Sequence, residues 1–463
     1  MSDSMSSERA SRSYTRGQIV KSDLGTGAVL GGLGPLAAAC GSSGGSSSGA
    51  AAGSGGSGGG SITIGTFSDP AMVPFQQVFL PKITKETGIK VNYQQTNYNA
   101  WYQNSKTDGL QKTGGYDIYV MDDNWVPEFA AGGIIQSLEQ LNLKVNPDIL
   151  QKGLEQGYWP PKSGPRLKAF ADATPELFAL VIIDDVQMLY YHKDYFSSPP
   201  ATWDDVYNVA KTKSNPPKLY GWSPRGVAGN PIVQTYLPLL NAYGGNFAND
   251  DWSPGFNGPE GIAALERLFS FIPYMPSSIA DYDTTEETAL LLQGHCTALT
   301  EYTGTAHAVD DPQQSKVVDK IDFAATPKQE ISGPAIGTFI CGIASGAKNV
   351  DGAVKFLEWF TSDAVQKDFA GGGSAAVTGS ALRDPTLGSK YRWLPAIADA
   401  VDNSIPKPRT PDEPKMEDLL GTALNQALVE AISKKSGYTD IAKSHLNTAA
   451  QQISDYLAQQ GTY

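Results

Sequence analysis

Tyr116-Asp117-Ile118-Tyr119-Val120-Met121-Asp122 is a short apolar run, rich in β-branched and aromatic residues, that ends on an acid. Its composition predicts a buried strand. Working upstream, Ile89-Lys90-Val91-Asn92-Tyr93 reads as another strand, entered through Thr87-Gly88, which stops an amphipathic helix running to about Glu86. Further upstream, Ile62-Thr63-Ile64-Gly65-Thr66-Phe67 alternates and is a third. Strands separated by helical stretches predict an α/β fold with a mostly parallel sheet flanked by helices. In such sheets ligands lie beyond the carboxyl ends of the strands, here Phe67 to Asp69, Gln94 to Asn97 and Asp122 to Trp125.

Downstream, the apolar run 177–183 meets Asp184-Asp185 and resumes as 186–191, two strand-like halves that fit a crossing between two lobes. Residues 202–271 read as helical with Gly/Pro-rich loops, and 296–302 and 338–343 as two more strands. Asp351 is expected to cap a helix with an apolar stripe through Val354, Phe356, Leu357, Trp359 and Phe360, and two helices over about 416–432 and 438–457 close the chain.

The bulk numbers exclude several classes. In 463 residues, 35 Lys+Arg stand against 48 Asp+Glu, a net charge of −13 that repels phosphate backbones and argues against nucleic acid as a partner. No run of 18 apolar residues exists to form a spanning helix. His192, His295, His307 and His445 show no metal-ligand spacing, and no His-Glu-x-x-His, phosphate-loop or dinucleotide glycine motif is present, so no metal, cofactor or catalytic activity is expected. Gly41-Ser42-Ser43-Gly44-Gly45 fits a nucleophile-elbow pattern only by lying in a low-complexity tract.

The first forty residues resemble a bacterial lipoprotein signal. Arg9, Arg12, Arg16 and Lys21 precede a weakly apolar stretch that ends in Leu36-Ala37-Ala38-Ala39-Cys40, the cysteine that would take the lipid. Residues 15–21 also look like a twin-arginine export motif in which Gly17 replaces the second arginine. Residues 41–60, almost wholly Gly, Ser and Ala, read as a solvated tether. An exported context leaves Cys296 and Cys341 as an even pair, for which a disulfide is the expectation and two buried thiols the alternative.

Ordered motifs then carry a family resemblance over roughly residues 61–463. Thr87-Gly88-Ile89-Lys90-Val91, the segment from Tyr116 through Asp122 and Trp125 to Ile135, and Tyr190-Tyr191-His192-Lys193-Asp194 are the first of these. Pro199-Pro200-Ala201-Thr202-Trp203, Gly294 with Thr297-Ala298-Leu299, Gly371-Gly372-Gly373, Asp384-Pro385 and Pro406-Lys407-Pro408-Arg409-Thr410-Pro411 complete the series. Together they resemble the extracellular solute-binding proteins (family 1) of carbohydrate ABC importers, in particular maltose-, trehalose- and polyol-binding lipoproteins. The resemblance implies a two-lobed periplasmic-binding-protein fold of type II with a multi-crossing hinge that closes over ligand. It divides the chain into 61–185 plus 302–343 as lobe I and 186–301 plus 344–463 as lobe II. It also implies a sugar or polyol as ligand, permease subunits of an ABC transporter as partners, attachment to the outer face of the cytoplasmic membrane, and a monomer.

A hydroxyl-rich ligand needs carboxylates or amides for hydrogen bonds and aromatic rings for stacking. Asp122 falls where relatives place a hydroxyl-binding aspartate, its alternative being a helix cap; Trp125 is either a stacking platform or core. Asp185 sits at the crossing, Glu301 and Tyr302 at the return crossing, where Tyr302 would stack beneath a ring. Phe67 and Asp69 end the first strand, with Asp69 alternatively a cap, and Arg225 follows Trp222-Ser223-Pro224. Thr378 occupies the position where disaccharide-binding relatives carry an arginine, so a different sugar, a smaller polyol or a non-sugar becomes possible. The competing readings are a binding lipoprotein for a polyamine or peptide, and a secreted glycosidase using a carboxylate pair.

Overall fold

The computed structural model describes residues 60–463; the expected signal, the lipid-accepting Cys40 and nearly all of the tether lie outside them. Nine strands build two sheets. In the first, β1 (Ser61–Phe67) lies between and parallel to β2 (Lys90–Thr96) and β3 (Ile118–Asp122). With β4 (Ala179–Ile183) and β9 (Phe339–Ile343) the order is β2-β1-β3-β9-β4, and β9 runs antiparallel to both its neighbours. The second sheet contains β5 (Gln187–His192), β6 (Tyr220–Ser223), β7 (Cys296–Tyr302) and β8 (Ile321–Ala325), in the order β8-β5-β7-β6. Only β6 and β7 pair in parallel there. The sheets are therefore mixed: helix-linked strands pair in parallel, and the strands that cross between the sheets run back against them.

Local chemistry explains the elements that shape the cleft. The helix before β2 ends where Gly88 takes φ 77°, a left-handed conformation that glycine adopts without cost. Asn97 caps α1 (Tyr98–Gln111) by accepting from the Ala100 amide at 2.9 Å, which fixes the first turn of that helix, and Tyr98 with it, beyond β2. Opposite lie α2 (Asn230–Ala242), α3 (Thr284–Leu292), α6 (Glu413–Lys434) and α7 (Tyr438–Gln460), with α6 packed on α2 and α7.

Three expectations need correction. Cys296 and Cys341 are free, buried thiols. Cys341 sits mid-strand in the first sheet, facing Val120 and Leu180, while Cys296 begins β7 in the second, so each packs as a small apolar group in its own sheet. The expected lobe boundaries also shift. Residues 321–325 join the second sheet, and α4 (Val350–Phe360) packs on β1 and β9 of the first. The cause is the aromatic face of α4: Phe360 lies 5.3 Å from Phe75 and 5.9 Å from Phe79, both buried on the first sheet's side. That helix is capped by Asn349, which accepts from the Gly352 amide at 2.9 Å, and not by Asp351. α5 (Trp393–Asn403) lies instead against β8.

Candidate functional site

A cavity of about 310 Å³ opens where the two sheets face each other. The carboxyl ends of β1 and β3 contribute Phe67, Asp69 and Asp122, α1 contributes Tyr98, and the start of β9 contributes Phe339. The opposite wall carries Arg225 after β6, Asn230 and Gln234 on α2, and Tyr302 at the end of β7. Asp185 stands on the crossing between β4 and β5, and Lys407 enters from the loop before α6. Of the nine expected binding residues, Phe67, Asp69, Asp122, Asp185, Arg225 and Tyr302 line this one space. A second cavity of about 440 Å³ shares Lys407 with it but is walled by residues 163–165 and 246–250 and holds none of the nine.

Tyr302 is fixed on three sides. Its hydroxyl donates to Gln234 Oε1 at 2.8 Å, its carbonyl accepts from the Tyr190 hydroxyl at 2.6 Å, and its ring lies against Gly337, where a Cβ would come within 3.2 Å. A side chain at Gly337 would press on the ring and force a shift of a few tenths of an ångström. On the facing wall, Phe67 packs edge-on to Tyr98 at 5.0 Å and beside Phe339 at 5.2 Å. The cavity thus offers apolar ring faces on both sides, with polar groups between them.

The polar groups divide by wall. Asp122 accepts from the Tyr98 hydroxyl at 3.0 Å, Asp185 from the Thr303 amide at 3.0 Å and also from its hydroxyl, and Asp69 from the Ala71 amide at 2.8 Å. Asp69 is therefore both a turn cap and a cavity residue. Across the cavity, Arg225 Nε lies 3.6 Å from Glu301 and its guanidinium stands 5.6 Å over the Tyr302 ring. Lys407 is held by Glu413 at 3.0 Å and Glu417 at 3.1 Å, and Glu417 also accepts from Asn230 and Gln234.

Three expected residues stand elsewhere. Glu301, 2 % exposed, is set behind Arg225, where it accepts from the Thr284 hydroxyl at 3.1 Å. Trp125 is 4 % exposed and stacks on Phe129; its indole N–H donates to the Tyr98 hydroxyl at 3.0 Å, so it supports the aromatic that does reach the cavity. Thr378 is fully buried and lies away from the cavity, because its extended main chain bridges to Ile149 just before the short helix that opens at Gly379.

Burial shapes the ionisation. Asp122 is pushed up to about 7 by desolvation and then by the neighbouring Asp123, although Lys407 pulls the other way. Glu413 is raised to about 7, again mainly by burial. Desolvation also raises Asp69 and carries Asp185 well above the usual carboxylate range. Lys407 keeps its charge: burial opposes it, yet Glu413 and Glu417 hold its pKa well above the ordinary value. A carboxyl whose folded pKa exceeds its unfolded one keeps a proton that the unfolded chain releases. Its contribution to stability is complete below the unfolded pKa and is lost as pH rises through the folded one. Asp122 and Glu413, with ordinary values of 3.8 and 4.5, therefore make ligand-free protein lose stability as pH rises from about 4 to about 7. Urea unfolding at several pH values checks this, and the decline is expected to shrink in Asp122→Asn.

Residues 68–367 match the family model described as bacterial extracellular solute-binding protein. Among curated relatives, a mannitol-binding protein of Pseudomonas aeruginosa is 25% identical over 370 residues, covering 77% of this chain and 81% of the relative. A probable amino-acid ABC transporter periplasmic-binding protein of Sinorhizobium fredii is 22% identical over 373 residues, covering 77% and 82%. Among solved structures, an ABC transporter solute-binding protein of Agrobacterium radiobacter K84 in complex with ribitol superposes with a TM-score of 0.69 at 22% identity, over 86% of this chain and 99% of that one.

Proposed function

The chain belongs to the bacterial extracellular solute-binding proteins, and on that premise we propose that it captures a small polyol or monosaccharide between its two lobes for an ABC importer. The observation that carries this is the division of the cavity walls. Asp69, Asp122 and Asp185 are hydrogen-bond acceptors, whereas Arg225, Asn230 and Lys407 are chiefly donors. A hydroxyl is donor and acceptor at once, so a row of hydroxyls bridges the two walls, and its carbon skeleton lies against Tyr302 and Phe67. Closure of the hinge brings those walls together over ligand. The mannitol- and ribitol-binding relatives support this class. A cavity of about 310 Å³ suits one ring or one open hexitol chain. The signal-like segment ending in Cys40, followed by its Gly/Ser tether, supports lipid anchoring at the outer face of the membrane, with transport subunits as partners.

A thermal-shift panel tests the reading. A saturating ligand at about 100 times its Kd stabilises the folded state by about 2.7 kcal/mol. Alditols and monosaccharides are expected to raise the melting temperature and to be recovered unchanged. A shift with oligopeptides alone, or conversion of the sugar to product, overturns it.

A further inference from the structure

The two walls differ in how their charges are balanced. On the Arg225 wall each cation already has its own carboxylates: Arg225 lies 3.6 Å from Glu301, 3.9 Å from Asp283 and 4.0 Å from Glu287, and Lys407 touches Glu413 and Glu417. On the facing side, Asp69 and Asp185 form no ion pair among the described residues, and their hydrogen-bond partners are the amide of Ala71 and the amide and hydroxyl of Thr303. The charged groups that act on them are carboxylates, Glu301 on both and Asp69 on Asp185, and each of these raises the pKa further beyond what burial does. Of the other carboxyls on the cavity wall, Asp123 has Arg409 at 3.9 Å and Asp122 accepts from the Tyr98 hydroxyl, so Asp69 and Asp185 are the pair whose partners are neither cations nor aromatic hydroxyls.

A second feature indicates what else the ligand carries. Arg225 lines the same cavity and is 8 % exposed, and its buried Nη2 has no hydrogen-bond partner among the described residues. A buried guanidinium nitrogen left without an acceptor is costly unless a ligand atom supplies one. Hydroxyl oxygen is such an acceptor, and it adds no charge to a wall whose cations are already neutralised.

We infer that the ligand is a hydroxylated amine, an amino sugar or amino alditol, with its ammonium between Asp69 and Asp185 and a hydroxyl oxygen on Arg225. This rests on the proposed hydroxyl-capturing reading and narrows its ligand class. A desolvated ammonium–carboxylate contact is stronger than a hydroxyl–carboxylate one, because both partners are charged.

Calorimetry on the whole chain at neutral pH, with the matched pairs glucamine and sorbitol, and glucosamine and glucose, tests it. At least one amine is expected to bind about tenfold or more tightly than its hydroxyl partner, a difference of about 1.4 kcal/mol. The amine-to-hydroxyl ratio is expected to fall toward one in Asp69→Asn, with Asp185→Asn as an independent second variant. Equal or tighter binding of the neutral partners overturns the inference and leaves hydroxyl capture standing. An amine preference that survives in both variants overturns the assignment to Asp69 and Asp185. Failure of all four compounds to bind overturns the inference together with the reading it rests on.

Discussion

Replacing Tyr302 with alanine is expected to weaken polyol binding by about 2 kcal/mol, roughly thirtyfold, while the protein still folds. The substitution removes the aromatic floor of the cavity and leaves Gln234 Oε1 without the hydroxyl that now donates to it at 2.8 Å. It also removes the ring beneath the Arg225 guanidinium, so the cation loses one of the surfaces that orients it. Tyr302→Phe separates these contributions. It keeps the ring and loses only the hydrogen bond, for an expected cost of about 1 kcal/mol. Calorimetric affinities of the two variants, with melting temperatures as the folding control, give the comparison. Equal losses in both would place the binding energy in the hydroxyl and not in stacking.

Lys407→Met is expected to have the largest effect on stability. Lys407 is 10 % exposed at its side chain and lies between Glu413 and Glu417, which are 1 % and 7 % exposed. Removing the cation that, among the described residues, contacts both leaves two buried carboxyl groups close together, which costs about 3 to 5 kcal/mol when a buried pair is broken from one side. The cost depends on pH in a definite direction. Glu413, raised to about 7, is protonated at pH 5 and is then a neutral partner for Glu417. At higher pH that proton is lost, and the Glu413 carboxylate is left without the cation that now offsets it. Urea unfolding of wild type and variant at pH 5 and pH 8 is expected to show a clearly smaller penalty at the lower pH. A penalty independent of pH would show that Lys407 acts through packing alone.

The sequence makes the strand ends legible, and with them most of the cavity. β1 alternates, β3 is a compact apolar run, and polar residues follow both, so Phe67, Asp69 and Asp122 are legible at carboxyl ends. Asp185 and Tyr302 were reachable because each adjoins a crossing between sheets, where the chain must pass the cleft. Residues brought in from distant elements left weaker signals. Lys407 lies in Pro406-Lys407-Pro408, a stretch visible as a motif, but only the packing of α6 places Glu413 and Glu417 against it and turns it toward the cavity. Asn230 and Gln234 sit one turn apart on a helix whose other residues are mostly buried, and Tyr98 follows an Asn cap. In each case the sequence shows the helix but not the face it turns to the cleft.

The misplacements have the same origin. Glu301 and Tyr302 are adjacent on β7, so their side chains leave the strand on opposite faces, and only Tyr302 meets the cavity. Trp125 and Tyr98 are both aromatic neighbours of Phe67, and the indole is the one set back into the core. The two cysteines form an even pair by compartment and by number, but Cys341 lies in the first sheet and Cys296 in the second, and both are free, buried thiols.

Hydroxyls that bridge a donor wall and an acceptor wall are directly visible in a crystal structure of the protein with a bound hexitol or its amine. The expected result is ligand in the cavity between Asp122 and Arg225, with heteroatoms within about 3.2 Å of at least one carboxylate of Asp69, Asp122 or Asp185 and of Arg225 or Lys407, and carbons against the Tyr302 ring. Ligand seated in the neighbouring cavity at residues 246–250, or touching one wall only, would contradict it.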